Sequence, residues 1–181
     1  MTRSFFERHP LSCARDLVGA VLTWDGCSGL VVETEAYAAQ GDEACHTFTR
    51  PASRRFVAEH KPGDAYVYLN YGMYWLLNVL VKGGENEGFV LIRALQPLRG
   101  LRIMQARRGP KPARQLCSGP GRLSVALGID RSHHGQPIFR RFRAPVHPLP
   151  VSASPRIGIS RARDLHWRFT ADENPHVSVP P

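Results

Sequence analysis

Three runs rich in β-branched, aromatic and leucine side chains, 65–69 (AYVYL), 75–81 (WLLNVLV) and 89–95 (FVLIRAL), follow one another with only short connections. Each is too short for an independent helix, and short connections favour antiparallel neighbours, so the stretch predicts a β-meander. An earlier pair of runs, 21–24 and 30–37, flanks the turn-forming 25–29 (DGCSG) and predicts a hairpin. Helical signals are few. Residues 10–17 place Leu11, Ala14 and Leu17 on one face before Gly19; 97–108 end at Gly109; 120–127 begin at Pro120 and stop at Gly128. Residues 46–62 read as irregular and basic, Pro-rich 144–155 as loop, and 156–160 and 166–170 as late strands. The sum is an α+β fold. It is one domain over 1–181, a mainly antiparallel curved sheet with flanking short helices and a protruding β-hairpin.

Several classes are excluded. No segment approaches the 18 or so apolar residues of a membrane span, and the first residues carry charge where a signal peptide needs an apolar run, which predicts a cytoplasmic protein, nucleoid-associated if bacterial. Cys13, Cys27, Cys45 and Cys117 form no C-x-x-C pair, so they are expected as free, mostly buried thiols, not zinc ligands or a disulfide framework. No metal-ligand spacing, Walker lysine or dinucleotide fingerprint is present, and no cofactor or metal is expected. The adjacent His133 and His134 read as loop.

The formal net charge is +9, and it is unevenly placed. Residues 1–87 hold 8 bases against 11 acids, whereas 88–163 hold 15 bases and a single acid, Asp130. Arginine supplies 21 of the 24 bases, and its forked donors suit phosphate. GC-rich codon usage accounts for arginine over lysine, but not for 76 residues with one acid. The block predicts a polyanion partner.

Two local anomalies point to chemistry. Glu33-Thr34-Glu35 interrupts an apolar strand, and alternation puts both carboxylates on one face about 7 Å apart, a separation at which one acid can direct water at a glycosidic carbon. The alternative is the polar outer face of an edge strand. Next, the strand connection 70–74 (NYGMY) carries Tyr71, Met73 and Tyr74 where small polar residues are usual. Such a tip either inserts into a base stack or folds back onto the core. In addition, Ser118-Gly119-Pro120-Gly121-Arg122 opens a helix with backbone N–H groups and a guanidinium free for a phosphate, a weak signal by itself.

Taken together, the segments Glu33-Thr34-Glu35-Ala36-Tyr37, Gly41-Asp42-Glu43-Ala44-Cys45-His46, Tyr66-Val67-Tyr68, Tyr71-Gly72-Met73-Tyr74, Asn78-Val79, 90–97 (VLIRALQP) and Cys117-Ser118-Gly119-Pro120-Gly121 resemble, in order, the alkyladenine (3-methyladenine) DNA glycosylase family. The resemblance runs from about Phe5 to Gly128 and beyond. It implies double-stranded DNA with a damaged purine as partner and hydrolysis of the N-glycosidic bond without lyase chemistry; a single DNA footprint needs only a monomer. It also implies roles. Glu35 resembles the general base that activates water and Arg93 the residue holding that water, with Glu33 behind them. Tyr37, His46 and Tyr68 resemble the pocket for the flipped base, His46 also reading its edge, and Asn78 the side chain that disfavours guanine. Tyr71, flanked by Met73 and Tyr74, resembles the intercalating wedge; Gly119, Gly121 and Arg122 fall to the DNA backbone. The rival readings are a non-catalytic DNA-binding or damage-sensing protein and a glycosidase of RNA or free nucleosides.

Overall fold

The computed structural model describes residues 1–180 and is an α+β fold organised by one long strand. The chain enters through helix α1 (Pro10–Leu17), started by Pro10 at its first position and by the His9 side chain, which accepts from the Leu11 amide. Strands β1 (Val21–Trp24) and β2 (Cys27–Ala38) follow. The turn between them is shorter than 25–29. Trp24 pairs with Cys27, leaving Asp25-Gly26 as a two-residue turn with φ of 45° and 75°, and Cys27, Ser28 and Gly29 join the strand.

Helices α2 (His46–Thr49) and α3 (Pro51–Glu59) then replace the expected irregular segment. Pro51 starts α3, and Ser53, Phe56 and Val57 form its buried side, while Arg54 and Arg55 face solvent. The meander is present as β3 (Ala65–Asn70), β4 (Tyr74–Gly83) and β5 (Asn86–Arg99). Helix α4 (Leu101–Arg108) starts later than the expected 97, because β5 continues through Pro97 and Arg99 in register with Gly29 and Ser28 of β2. Helices α5 (Ala113–Leu116) and α6 (Pro120–Leu127) and strands β6 (Phe142–Arg143), β7 (Val151–Ser154) and β8 (Arg168–Ala171) complete the chain. The late strand expected at 156–160 lies instead at β7, inside the stretch read as loop, and β8 begins two residues after the expected 166. His133 ends a short 3-10 turn rather than lying in plain loop.

The sheet runs β3-β4-β5-β2-β1-β6, and β8 pairs with both β2 and β7. Thus β2 is central: β5 covers one edge, while β1 and then β8 share the other. One side of the sheet packs on α1, α4 and α6 through Leu17, Val32, Ile92, Met104 and Leu123. On the other, α3 presses Phe56 and Val57 onto Tyr66, Leu80 and Phe89, an aromatic cluster against which Tyr37 and Tyr68 pack. Cys13, Cys27, Cys45 and Cys117 are all free and buried. Among the described residues, no helix is long and apolar enough to cross a membrane.

Candidate active site

The acid-bearing strand is interior. Glu33 and Glu35 are both fully buried, so the edge-strand alternative fails. Burying two carboxylates is costly without cations and donors, and the backbone supplies a way to deliver them. In the β2–β5 ladder Glu33 pairs with Ala94 and Thr34 with Ile92, so Arg93 is the extra residue of a β-bulge. A bulge redirects the side chain of the unpaired residue. Here it turns Arg93 toward the acids: Nε donates to Glu33 Oε1 at 2.9 Å and Nη1 to Glu35 Oε2 at 3.1 Å.

Glu35 has two further donors. Tyr37 Oη donates to Oε2 at 2.8 Å, and the Ile157 amide to Oε1 at 2.7 Å. Burial and the neighbouring carboxylate hold the Tyr37 phenol well above its ordinary range, so it stays a neutral donor. A carboxylate offers about four lone-pair sites, and three are used. Oε1, bonded to Ile157 alone, keeps a second acceptor position beside the 157–159 loop.

Glu33 is held more completely. Oε1 accepts from Arg93, from Arg168 Nε at 2.8 Å and from Ser178 Oγ at 2.8 Å; Oε2 accepts from the Ser178 amide at 2.6 Å. Burial alone would raise its pKa, but Arg93, Ser178 and Arg168 overcome it and hold the carboxyl below its usual range.

Above these groups opens a cleft of about 560 Å³, lined among others by Tyr37, His46, Tyr66, Tyr68, Asn78, Arg93 and Ile157–Ile159. All four residues expected in a base pocket therefore reach one cavity, with Arg93 at its floor. Helix α2 contributes His46 and Thr49 to its wall, and α3 backs that wall through Ser53. His46 opens α2, and its Nδ1 lies 3.1 Å from Tyr66 Oη; Tyr66 in turn bonds Ser53 of α3 at 2.7 Å. The His46 ring meets Tyr68 edge-on with centroids 4.3 Å apart. Burial, helped by the Arg50 charge, lowers the His46 pKa to about 4, so the imidazole is neutral near pH 7. Asn78 donates from Nδ2 to the Tyr66 carbonyl at 3.3 Å. Sequence reasoning missed Tyr66 and Ser53, and it missed Arg156. That buried arginine forms a two-point pair with Asp42 at 2.6 and 2.8 Å, donates to the Ala36 carbonyl and lies 4.6 Å from the Tyr37 ring centroid. It fixes both Tyr37 and the start of the loop that sends Ile157 to Glu35.

The β3–β4 connection does not fold back onto core. Tyr71 is 83% exposed and Met73 67% exposed, and Tyr71 holds a φ of 49° followed by Gly72 at 69°. Tyr74 is less free, since a Cβ on Gly121 would stand 2.8 Å from its ring. Gly121 thus lets the hairpin rest on the start of α6, a packing duty its sequence context did not announce. Gly119 caps that helix with a φ of 143°, and Arg122, exposed, donates to the Ser118 carbonyl and hydroxyl at 3.2 Å each. Within the basic block Arg93 and Arg156 are buried and ion-paired, whereas Arg99, Arg102, Arg114, Arg140 and Arg143 are exposed. Among the described residues no group of three or more His, Cys, Asp and Glu side chains is placed to hold a metal ion.

A family model described as methylpurine-DNA glycosylase matches residues 4–175. Relatives named "Putative 3-methyladenine DNA glycosylase" come from Nitrosospira multiformis, 43% identical over 97% of this chain and 92% of the relative, and from Rhodopseudomonas palustris, 43% identical over 99% and 90%. A Rhizobium etli relative of the same name is 43% identical over 98% and 88%. A match of this extent covers the acid-bearing strand, the cleft and the exposed hairpin together, and by it the chain belongs to the methylpurine-DNA glycosylase family.

Proposed function

We propose that this chain excises alkylated purines from duplex DNA as a monofunctional N-glycosylase, with Glu35 as the base that activates water. The observation that carries the reading is the environment of Glu35: a buried carboxylate that does not itself line the aromatic cleft but is fixed by three donors that do, Tyr37, Arg93 and Ile157, and keeps one acceptor position on Oε1. A water held there donates a proton to Glu35 while its oxygen forms the bond to C1′; the N-glycosidic bond breaks, and its electron pair leaves with the base. A 3-alkyladenine carries a positive charge before cleavage, so it departs as a neutral base and needs little help. The residues lining the cleft include no lysine, which fits hydrolysis rather than Schiff-base chemistry.

Before that step the lesion leaves the stack. Tyr71, on a tip with no packing of its own, fills the gap, and the exposed arginines with the start of α6 grip phosphates. Tyr37, Tyr68 and His46 then enclose the flipped base; electron-rich rings favour a cationic purine. Asn78 crowds the position of a guanine amino group. One protomer carries every group named here, so the reading needs only a monomer.

An abasic-site assay tests the reading on duplex DNA holding a single 3-alkyladenine or a single hypoxanthine, beside the same lesions in RNA and as free nucleosides. Cleavage at the duplex lesions supports it. Binding without cleavage would make the chain a damage sensor, and a preference for RNA or nucleosides would move it to another substrate class.

A further inference from the structure

Glu33 is fully buried and, of its hydrogen-bond partners, only Arg93 lines the cleft, so it reaches the site through that guanidinium. Of its four contacts two come from one residue far along the chain. Ser178 donates from its amide at 2.6 Å and from Oγ at 2.8 Å, and the same Oγ accepts from Arg93 Nη2 at 3.5 Å. The segment bearing it is tied at two further points: Arg168 donates from Nη2 to the Val179 carbonyl, and Asn174 Nδ2 donates to Gln96 Oε1 at 2.9 Å. Nothing in the sequence marks this segment.

We propose that Ser178 is a positioning residue that keeps Arg93 aimed at Glu35. A guanidinium is planar, and its orientation is set when Nε, Nη1 and Nη2 each have a partner. In this site those partners are Glu33, Glu35 and Ser178. Ser178 acts in two ways. It anchors the third corner of the plane, and by donating twice to Glu33 it leaves that acid less in need of Arg93. Without the hydroxyl, Glu33 draws the guanidinium toward itself, Nη1 leaves Glu35 Oε2, and the carboxylate loses the orientation on which the bound water depends. The proposal rests on the reading of Glu35 and Arg93 given above.

The test compares wild type, Ser178→Ala and Ser178→Thr on duplex DNA with one hypoxanthine or one 3-alkyladenine, measuring single-turnover excision and, separately, DNA affinity. Ser178→Ala is expected to slow excision by about tenfold, as for loss of one hydrogen bond to a charged group, with affinity within about twofold of wild type. Ser178→Thr retains Oγ and is expected to restore most of the rate. A Ser178→Ala rate within about twofold of wild type overturns the proposal, as does a loss that appears equally in affinity or is not rescued by threonine. Hydrogen exchange of the Arg93 Nε–H in the free protein separates this outcome from the fate of the functional reading. If wild type excises nothing, that reading falls, while faster exchange in Ser178→Ala still upholds the clamp and unchanged exchange refutes it.

Discussion

The Arg93 guanidinium donates to the Glu35 carboxylate at 3.1 Å, where the β2–β5 ladder shifts register on either side of Glu33, past Val32 on β2 and past Arg93 on β5. Had β5 continued in regular register, Arg93 would have faced its share of the ladder like its neighbours. The shift instead gives one guanidinium to two buried acids. The cluster of Glu33, Glu35, Arg93 and Arg168 is therefore electrically balanced inside the protein.

Arg93→Lys tests that sharing. An ammonium is a point charge and lacks the flat fork that reaches Glu33 and Glu35 at once, so one acid is left short of a donor. The expected outcome is a loss of excision by at least about 10²-fold with partial loss of stability, and Arg93→Ala is expected to cost about 3–5 kcal/mol in denaturant unfolding. Near-normal unfolding of Arg93→Ala would mean that the acids find other partners.

A second expectation concerns pH. His46 has a folded-state pKa of about 4 against an ordinary value of 6.5. The unfolded chain thus binds its proton first, and stability rises with pH across that window, being lost as pH falls from about 6.5 toward 4. An NMR titration should place His46 below 5, and His46→Gln should flatten the stability profile in that interval. A His46 midpoint near 6.5 would contradict the lowering of its pKa by burial and by Arg50, and with it the stability window.

Tyr71 offers a cleaner separation of folding from function. Its ring touches little and alanine at the same positive φ is equally strained, so Tyr71→Ala should change stability by no more than about 0.5 kcal/mol. Excision from duplex should still fall, by about tenfold, and the deficit should shrink for a lesion in single-stranded DNA, where no stack has to be opened. An equal deficit on both substrates would argue against a wedge.

These sites differ in how far the sequence discloses them. The meander, α1 and α6 were legible because local pattern and capping agree with the fold; Glu33 and Glu35 stood out as acids in an apolar strand, whereas Tyr37 and Arg93 were reached only through the family resemblance. Helices α2 and α3 were not, since they are short, carry Arg54 and Arg55 outward, and are held by Phe56 and Val57 packing on a distant sheet. Pro97 suggested a helix start, yet pairing with Gly29 kept it in β5. Arg156 and Ser178 gave no signal at all. Their partners, Asp42 and Glu33, lie more than 100 residues away, and only the closed fold joins them. Net charge misled in one respect, because two arginines of the basic block serve the interior.

The central claim, that Glu35 activates the water, is tested most directly by Glu35→Gln. The substitution keeps shape and burial but removes the negative charge and the basicity. Single-turnover excision of a 3-alkyladenine from duplex DNA is expected to fall by at least about 10²-fold while affinity for the same duplex stays within a few fold of wild type. Excision by Glu35→Gln at the wild-type rate would contradict the account.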